Sequence, residues 1–348
     1  MEMLRGRVRK FGAVVGLLGA LGCRERLSLD AGTDAGELPV EDAGADTPLP
    51  DAPPEPPCEG PPGLYVEGSC TELAPGVRSF APRYTLWTDG AAKDRFVYLP
   101  PGSRIDTSDP DAWVYPVGTI FWKTFSRDGL RIETRINEKI AAGSGMDAWS
   151  MRTFAWSEDQ LSVSEVTDGV ENALGTNHDI PPVALCTQCH SGAAVDVGIG
   201  FTAIQLNHEA SDVTLAGLVA DGWLSAEIDT TAAVIPGNET VSEALGYLHV
   251  NCGTCHGGER PQPVGNPLVF WIDVGTTSPA FTGPYVTAVS QPSTWSGAAL
   301  RVAPGAPDES AVILRMTSRI AGVQMPPVGT ESPHPAGIGS VRAWINSL

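Results

Sequence analysis

The chain has 348 residues, of which 42% are hydrophobic, so it is long enough for two or three domains with real cores. Its 41 acidic and 22 basic residues give a formal net charge of −19. This balance argues against nucleic acid and anionic membrane surfaces as partners, because both repel an acidic protein.

The first 22 residues have the pattern of an export signal. Four basic residues lie between positions 5 and 10, and an apolar run from 11 to 22 follows that is too short to span a bilayer as a mature helix. The run ends Ala20-Leu21-Gly22-Cys23, which resembles a bacterial lipobox. The pattern predicts a lipoprotein-type signal peptide over 1–22 and lipidation of Cys23, with ordinary secretion as the alternative.

The composition of residues 23–57 predicts a disordered acidic linker. Between positions 28 and 57 there are eight acidic residues and no Lys or Arg, among Ala, Gly and many Pro. Such a segment is solvated, repels itself and stays extended. We expect it to hold the folded part away from a lipid surface, in the periplasm or cell envelope.

The cysteine count predicts one disulfide. The chain has seven Cys. Setting aside Cys23 and the four in the two motifs described below, Cys58 and Cys70 remain, 12 positions apart in a segment rich in Pro and Gly. In an oxidising compartment a structural disulfide between these two is the simplest pairing.

Residues 58–170 have the pattern of an antiparallel β-rich domain. Asp128-Gly129 marks a hairpin turn before alternating apolar and polar residues at 130–136. Other short apolar and aromatic runs predict strands of a small sheet or sandwich, at 95–99, 113–115, 119–122, 153–156 and 161–163. Trp87 and Asp89 could line a substrate cleft, but a half-buried aromatic residue in a charged loop is the favoured interpretation.

Two short stretches in residues 171–348 carry the chemistry. Cys186-Thr187-Gln188-Cys189-His190 and Cys252-Gly253-Thr254-Cys255-His256 both read C-x-x-C-H, the attachment sequence of a covalent c-type haem. The two thiols add to the vinyl groups of the porphyrin, and the adjacent His190 or His256 ligates the iron. The motifs predict two covalent haems c, haem 1 at 186–190 and haem 2 at 252–256. The alternatives are a zinc site built from the four Cys and a redox disulfide.

Helical patterns surround the second motif. Apolar spacing predicts helices at 212–219, from about 238 up to Cys252, at 309–319 and at 339–348. Between the last two lies Met325 in a loop stiffened by two prolines, which makes its thioether the candidate distal ligand of haem 2. Met316 falls at apolar spacing and is expected in the core.

The distal ligand of haem 1 is less clearly marked, because no Met lies between the two motifs. His178 is the favoured candidate and His208 the second. Met146, Met151 and an open site are further possibilities. We expect His249 to be a packing or propionate-contact residue and His334 to lie at the surface.

These residues together resemble an exported dihaem c-type cytochrome family of myxobacteria and marine bacteria. The resemblance covers about residues 80–348, and it rests on the two C-x-x-C-H motifs and on six short segments. Those segments are Leu-Trp-Thr-Asp-Gly-Ala-Ala-Lys-Asp-Arg-Phe-Val-Tyr-Leu-Pro from Leu86, Tyr-Pro-Val-Gly-Thr from Tyr115, Asn-His-Asp-Ile-Pro-Pro from Asn177, Gln-Leu-Asn from Gln205, Met-Pro-Pro from Met325 and Trp-Ile from Trp344. The C-terminal part is similar to class I cytochrome c. The resemblance implies a haem protein and indicates no substrate. The strand and helix patterns described above predict an α+β protein, with an antiparallel β-rich domain followed by a mainly α-helical dihaem region.

Three functions are consistent with these patterns. The first is electron transfer through the two haems to a redox partner protein, and an electron carrier is favoured over a catalyst. The second is a dihaem peroxidase or oxidase with haem 1 as the reactive site. The third is a binding protein that uses the β domain. Because the motifs are only 66 positions apart, we expect one compact dihaem unit.

Overall fold

The computed structural model describes residues 56–191, 196, 198–257 and 267–348. The predicted signal peptide, Cys23 and nearly all of the predicted linker lie outside these residues. Pro54–Leu348 forms one compact unit, and the boundary between domains at residue 170 stays a prediction. In the part of the chain that the structure describes, no helix is long and apolar enough to cross a membrane.

Six strands form one antiparallel sheet in which each strand pairs with the next along the chain. Asp128 and Gly129 close the central hairpin with positive φ angles of 51° and 84°, as a type I′ turn requires. Within the described ranges seven α-helices accompany the sheet, so this part of the protein is of the α+β class. The strands are β1 Val77–Ser79, β2 Ala92–Tyr98, β3 Ile120–Arg127, β4 Leu130–Lys139, β5 Trp149–Trp156 and β6 Val163–Glu165.

One predicted strand is absent from this sheet. Val114 pairs only with Asp106 in an isolated bridge, although Trp113 and Tyr115 on either side of it are buried. Pro110 and Pro116 flank the run, and proline cannot donate to a strand ladder. The apolar pattern here marks core residues in a loop. The last strand is also displaced, because β6 begins at Val163, where the predicted strand ends.

The face of the sheet that carries Val97 and Phe121 changes character along its length. At one end Val97, Phe121 and Trp149 pack against Phe201 and Leu206 in an apolar cluster. This cluster joins the sheet to the chain that follows residue 170, so the two parts share a core. At the other end the same face carries charged side chains, described below. The opposite face buries Trp122, Ile136 and Phe154 against Leu64.

The helices lie in the C-terminal half of the chain. Their bounds are α1 Cys186–His190, α2 Ala203–Leu206, α3 Leu215–Ala220, α4 Glu239–Asn251, α5 Gly283–Thr287, α6 Ala311–Thr317 and α7 Pro335–Asn346. Helices α3, α4, α6 and α7 correspond to the four predicted helices, with shifted ends.

Helix α4 shows why a local sequence pattern is enough to predict a helix. The side chain of Asn238 caps its first turn by accepting from the Val241 amide at 3.0 Å. Val241, Ala244, Leu245 and Leu248 are all buried, and they face α7 and its fully buried Trp344. A capped helix with one apolar face is stabilised when that face packs against another element of the core.

Cys58 and Cys70 form a disulfide with a Cα–Cα distance of 5.6 Å. Both lie in a small cluster with the buried Trp156 at the end of β5. The bond closes the segment ahead of β1 on itself, and this small cluster packs the closed segment against the end of the sheet.

Candidate cofactor site

The first C-x-x-C-H motif forms a helical turn of its own. Helix α1 consists of the five motif residues and follows a 3-10 turn at Val183–Leu185. Cys186 is half-buried and Cys189 is exposed, and neither is in a disulfide. The turn presents both thiols and His190 to a large cavity.

The second motif begins where α4 ends. The amides of Cys252 and Gly253 both bond to the carbonyl of Leu248, at 2.9 and 3.0 Å, which turns the chain sharply. A Cβ on Gly253 would collide with the carbonyl of His249 and lie 3.0 Å from the amide nitrogen of Trp271, so only glycine fits there. The His256 amide then donates to the Cys252 carbonyl at 2.8 Å, which closes the turn.

The two motifs meet in space. The Cys255 thiol lies 3.7 Å from the carbonyl oxygen of Gln188, inside the first motif. Cysteines and histidine of both motifs line one cavity of about 990 Å³, at the upper end of the range for ligand pockets, about 300–1,000 Å³. From the 66 positions between the motifs we expected one compact unit. The fold goes further and brings the two motifs into contact.

The donor set fits a c-type haem at the second motif. His256 is buried, lines the cavity and packs edge-on against Phe270 at 5.8 Å between ring centroids. Its Nδ1 has no hydrogen-bond partner among the described residues, and burial lowers the pKa of the imidazole, so its neutral, ligating form is favoured. Met325 and Met316 line the same cavity. Met316 is buried, as expected for a core residue.

The loop that carries Met325 is held from both sides. The Met325 amide donates to the Arg315 carbonyl at 2.9 Å. Farther along the loop, the Asp89 carboxylate accepts from the amides of Glu331 and Ser332 at 3.0 and 2.8 Å and from the Ser332 hydroxyl at 2.8 Å.

Trp87 reinforces the same contact between the loop and the segment ahead of β2. Its indole nitrogen donates to the Ser332 carbonyl at 3.0 Å, and its ring stacks on His334 with centroids 4.1 Å apart. His334 is partly exposed, with its ring against the Trp87 indole. Trp87 is half-buried, as expected, and Asp89 holds a loop; both also line the cavity, so the cleft alternative stays open.

His178 lies in the cavity wall beside the sheet. Its side chain is buried, and its Nε2 donates to Oε1 of Glu133 at 2.8 Å. Glu133 is itself fully buried and accepts two bonds from the guanidinium of Arg135, at 2.6 and 2.8 Å. A His–Glu–Arg group, in which the histidine and the glutamate are buried and the arginine is partly exposed, therefore faces the region of the first motif.

The other candidate ligands of haem 1 are placed differently. His208 does not line the cavity; its Nε2 donates to the Ala81 carbonyl at 2.8 Å and its Nδ1 accepts from the Ala210 amide at 3.2 Å. Met151 lines the cavity, whereas Met146 packs against the apolar cluster of the sheet. His249 is buried, packs against Trp271 and accepts from the Ile272 amide at 3.1 Å.

The thiol environment differs from that of a redox disulfide. Burial raises the pKa of Cys186, Cys189 and Cys255, and raises that of Cys252 to about 12. Redox-active C-x-x-C pairs have lowered thiol pKa values. For residues within the described ranges, no three His, Cys, Asp or Glu side chains are grouped so that they could hold a metal ion; a haem iron takes only axial ligands from the protein.

Sequence reasoning missed the charged wall of the cavity. Glu133, Arg135, Lys123 and Arg95 all lie on one face of the sheet. The three cations line the cavity, and Glu133 lies buried behind Arg135 and His178, to which it is hydrogen-bonded. The sequence contained one local sign of it, because Glu133 and Arg135 are two positions apart on β4 and therefore lie on the same face of the sheet. Recognising it requires the register between strands, which the sequence does not display.

Comparison with protein-family models, with curated proteins and with solved structures found no match to this chain. The family resemblance described above therefore stays a prediction.

Proposed function

We propose that the protein is an exported dihaem c-type cytochrome that transfers electrons through two covalently bound haems. The observation that carries the proposal is the contact between the two C-x-x-C-H motifs, with the Cys255 thiol 3.7 Å from the Gln188 carbonyl, in a cavity that both motifs line. Electron transfer between centres falls steeply with distance, so adjacent attachment sites suit an internal electron step.

Each predicted site residue has a role in this proposal. Cys186 and Cys189 would hold one haem by thioether bonds with His190 as its proximal ligand. Cys252, Cys255 and His256 would hold the other. A haem at each motif supplies a one-electron iron couple.

Two residues outside the motifs are the proposed distal ligands of the haem irons. Met325 is the distal ligand in the proposal for haem 2, and the hydrogen bonds of its loop to Arg315 and Asp89 fix its position. His178 is the distal ligand proposed for haem 1. Its bond to Glu133 engages Nε2, so ligation through Nδ1 or a turned ring is required.

The remaining parts of the proposal concern the cell. Lipidation of Cys23 would anchor the protein in the cell envelope, with residues 23–57 as a tether, and a redox partner protein would exchange electrons with it. The net charge of −19 suits a basic partner surface.

Electron paramagnetic resonance of the oxidised holoprotein tests the proposal. The spectrum is compared with those of two single-haem variants, Cys186→Ala/Cys189→Ala and Cys252→Ala/Cys255→Ala. Two close irons would give a wild-type spectrum broadened by their magnetic interaction. A wild-type spectrum equal to the sum of the two single-haem spectra would contradict the proposal of one close dihaem unit.

One observation favours a second candidate function, a dihaem peroxidase with haem 1 as the reactive site. The buried His178–Glu133 pair, with Arg135 beside it, can hold and move a proton at the cavity wall. In this function His178 is an acid–base residue and haem 1 has an open position. Peroxide turnover by the reduced protein that falls at least 100-fold in His178→Ala, with haem content unchanged, would support it.

A further inference from the structure

Three cations form a row across the sheet at the cavity wall. The register pairs Arg95 on β2 with Lys123 on β3, and Lys123 with Arg135 on β4. Side chains directly opposite on an antiparallel pair have Cβ atoms about 4.5–5.5 Å apart, and like charges at that spacing repel. All three line the cavity. The row is therefore an unfavourable arrangement unless negative charge balances it.

The protein balances only one of the three. Arg135 forms the bidentate pair with Glu133, and Glu133 is shared with His178. Neither Arg95 nor Lys123 forms an ion pair with a carboxylate among the described residues; Lys123 lies over the Phe125 ring at 4.9 Å. Two cations thus face the cavity with no acidic partner.

Arg95 is the least satisfied of the group. It is only 7% exposed, and its Nε and one terminal nitrogen have no hydrogen-bond partner in the described structure. Its remaining bond is a long one, 3.4 Å to the carbonyl of Lys93. A buried guanidinium with free donors destabilises the fold unless something pairs with it.

The electrostatics of this part of the wall favour an anion. Burial and the repulsion among Arg95, Arg135 and Lys93 lower the pKa of Lys123 well below its usual value, and burial lowers that of Arg95 to about 10. An anion placed between them would oppose both effects, because a nearby negative charge raises the pKa of a cation.

We propose that Arg95 and Lys123 form a carboxylate-binding site on the cavity wall, beside the first C-x-x-C-H motif. The planar fork of the guanidinium matches a carboxylate, and the ammonium adds a point charge. A carboxylate here has two sources: the propionate of a bound haem, which rests on the proposed function, or a free carboxylate such as a small organic acid.

The test uses the full-length holoprotein and four variants. Arg95→Gln and Lys123→Met remove one charge each, Arg95→Lys keeps the charge, and Arg342→Gln removes a surface charge paired with Asp308 away from the cavity. Acetate is titrated into each by calorimetry. The midpoint potential of each haem is measured across pH in parallel.

A free-carboxylate site predicts acetate binding to the wild type that weakens about 10- to 100-fold in Arg95→Gln and Lys123→Met but not in Arg342→Gln. A propionate site predicts no acetate binding. The potential of one haem would then fall in Arg95→Gln and change its pH dependence, because a propionate that loses its cation titrates at higher pH. Arg95→Lys should stay near the wild type in either case.

The inference is overturned if folded Arg95→Gln and Lys123→Met match Arg342→Gln in acetate binding, in potential and in pH dependence. Haem content is measured separately, so failure of haem attachment is distinguishable from failure of this site. If Arg95→Gln does not fold, Lys123→Met against Arg342→Gln provides the same comparison.

Discussion

The Asp89 contact makes a sharp prediction about the loop that carries Met325. Three donors, the amides of Glu331 and Ser332 and the Ser332 hydroxyl, reach one carboxylate at 2.8–3.0 Å. Hydrogen bonds to a charged group are each worth about 1.5–3 kcal/mol, and solvent at this half-exposed site reduces the sum. We expect Asp89→Ala to weaken the attachment of the loop by about 2–4 kcal/mol. Asp89→Asn, which keeps an acceptor oxygen, should cost about half as much.

The assay follows Met ligation rather than global folding. Ferric haem with a Met ligand has a characteristic long-wavelength charge-transfer band, whose loss on mild warming or in dilute denaturant reports release of the loop. The midpoint of that loss should fall in the order wild type, Asp89→Asn, Asp89→Ala. Asp94→Asn is the matched control, because Asp94 is exposed on the neighbouring strand. Equal midpoints for Asp89→Ala and the control would refute the role of Asp89 in holding this loop.

Three further predictions concern stability and are checked by denaturant unfolding of the purified protein. Lys139→Met should lower the free energy of unfolding by about 3–5 kcal/mol, because it leaves the fully buried Asp196 without its cation. Arg152→Met, in an exposed pair with Glu165, should lower it by about 1 kcal/mol or less. Equal losses in the two variants would contradict this prediction. Leu248→Ala, in the interface of α4 and α7, should lower the free energy of unfolding by about 2–5 kcal/mol. Leu348→Ala, at the partly exposed terminus, should leave it almost unchanged. Replacing Cys58 and Cys70 by Ser should lower the free energy of unfolding by about 2–4 kcal/mol. If the disulfide is the source of this loss, the wild type under reducing conditions should lose the same amount.

Local features of the fold were predictable from the sequence. The hairpin of β3 and β4 follows from Asp128-Gly129 and two alternating runs, and α4 follows from its Asn cap and apolar spacing. These elements depend on neighbours within about a dozen residues. The run 113–115 shows the limit, since its aromatic residues are buried without pairing in the sheet.

Features of the site that depend on distant contacts were not predictable. Asp89 and Ser332 are 243 positions apart, and nothing in either segment alone marks the other as its partner. The row Arg95, Lys123 and Arg135 depends on strand register, which a one-residue shift would abolish. The C-x-x-C-H motifs are the exception, because attachment chemistry requires their residues to be adjacent in sequence.

Covalent haem content tests the proposal of two attached haems most directly. The chain is produced in a host with c-type cytochrome maturation, and its intact mass is determined together with optical spectra of the reduced protein with and without carbon monoxide. The account predicts a mass increased by two haems that persists after denaturation, with both irons six-coordinate and no carbon monoxide shift. A shift at one haem would favour the peroxidase function over electron transfer. A chain that carries no covalent haem in a competent host, or that carries zinc on its four thiols, would contradict the account.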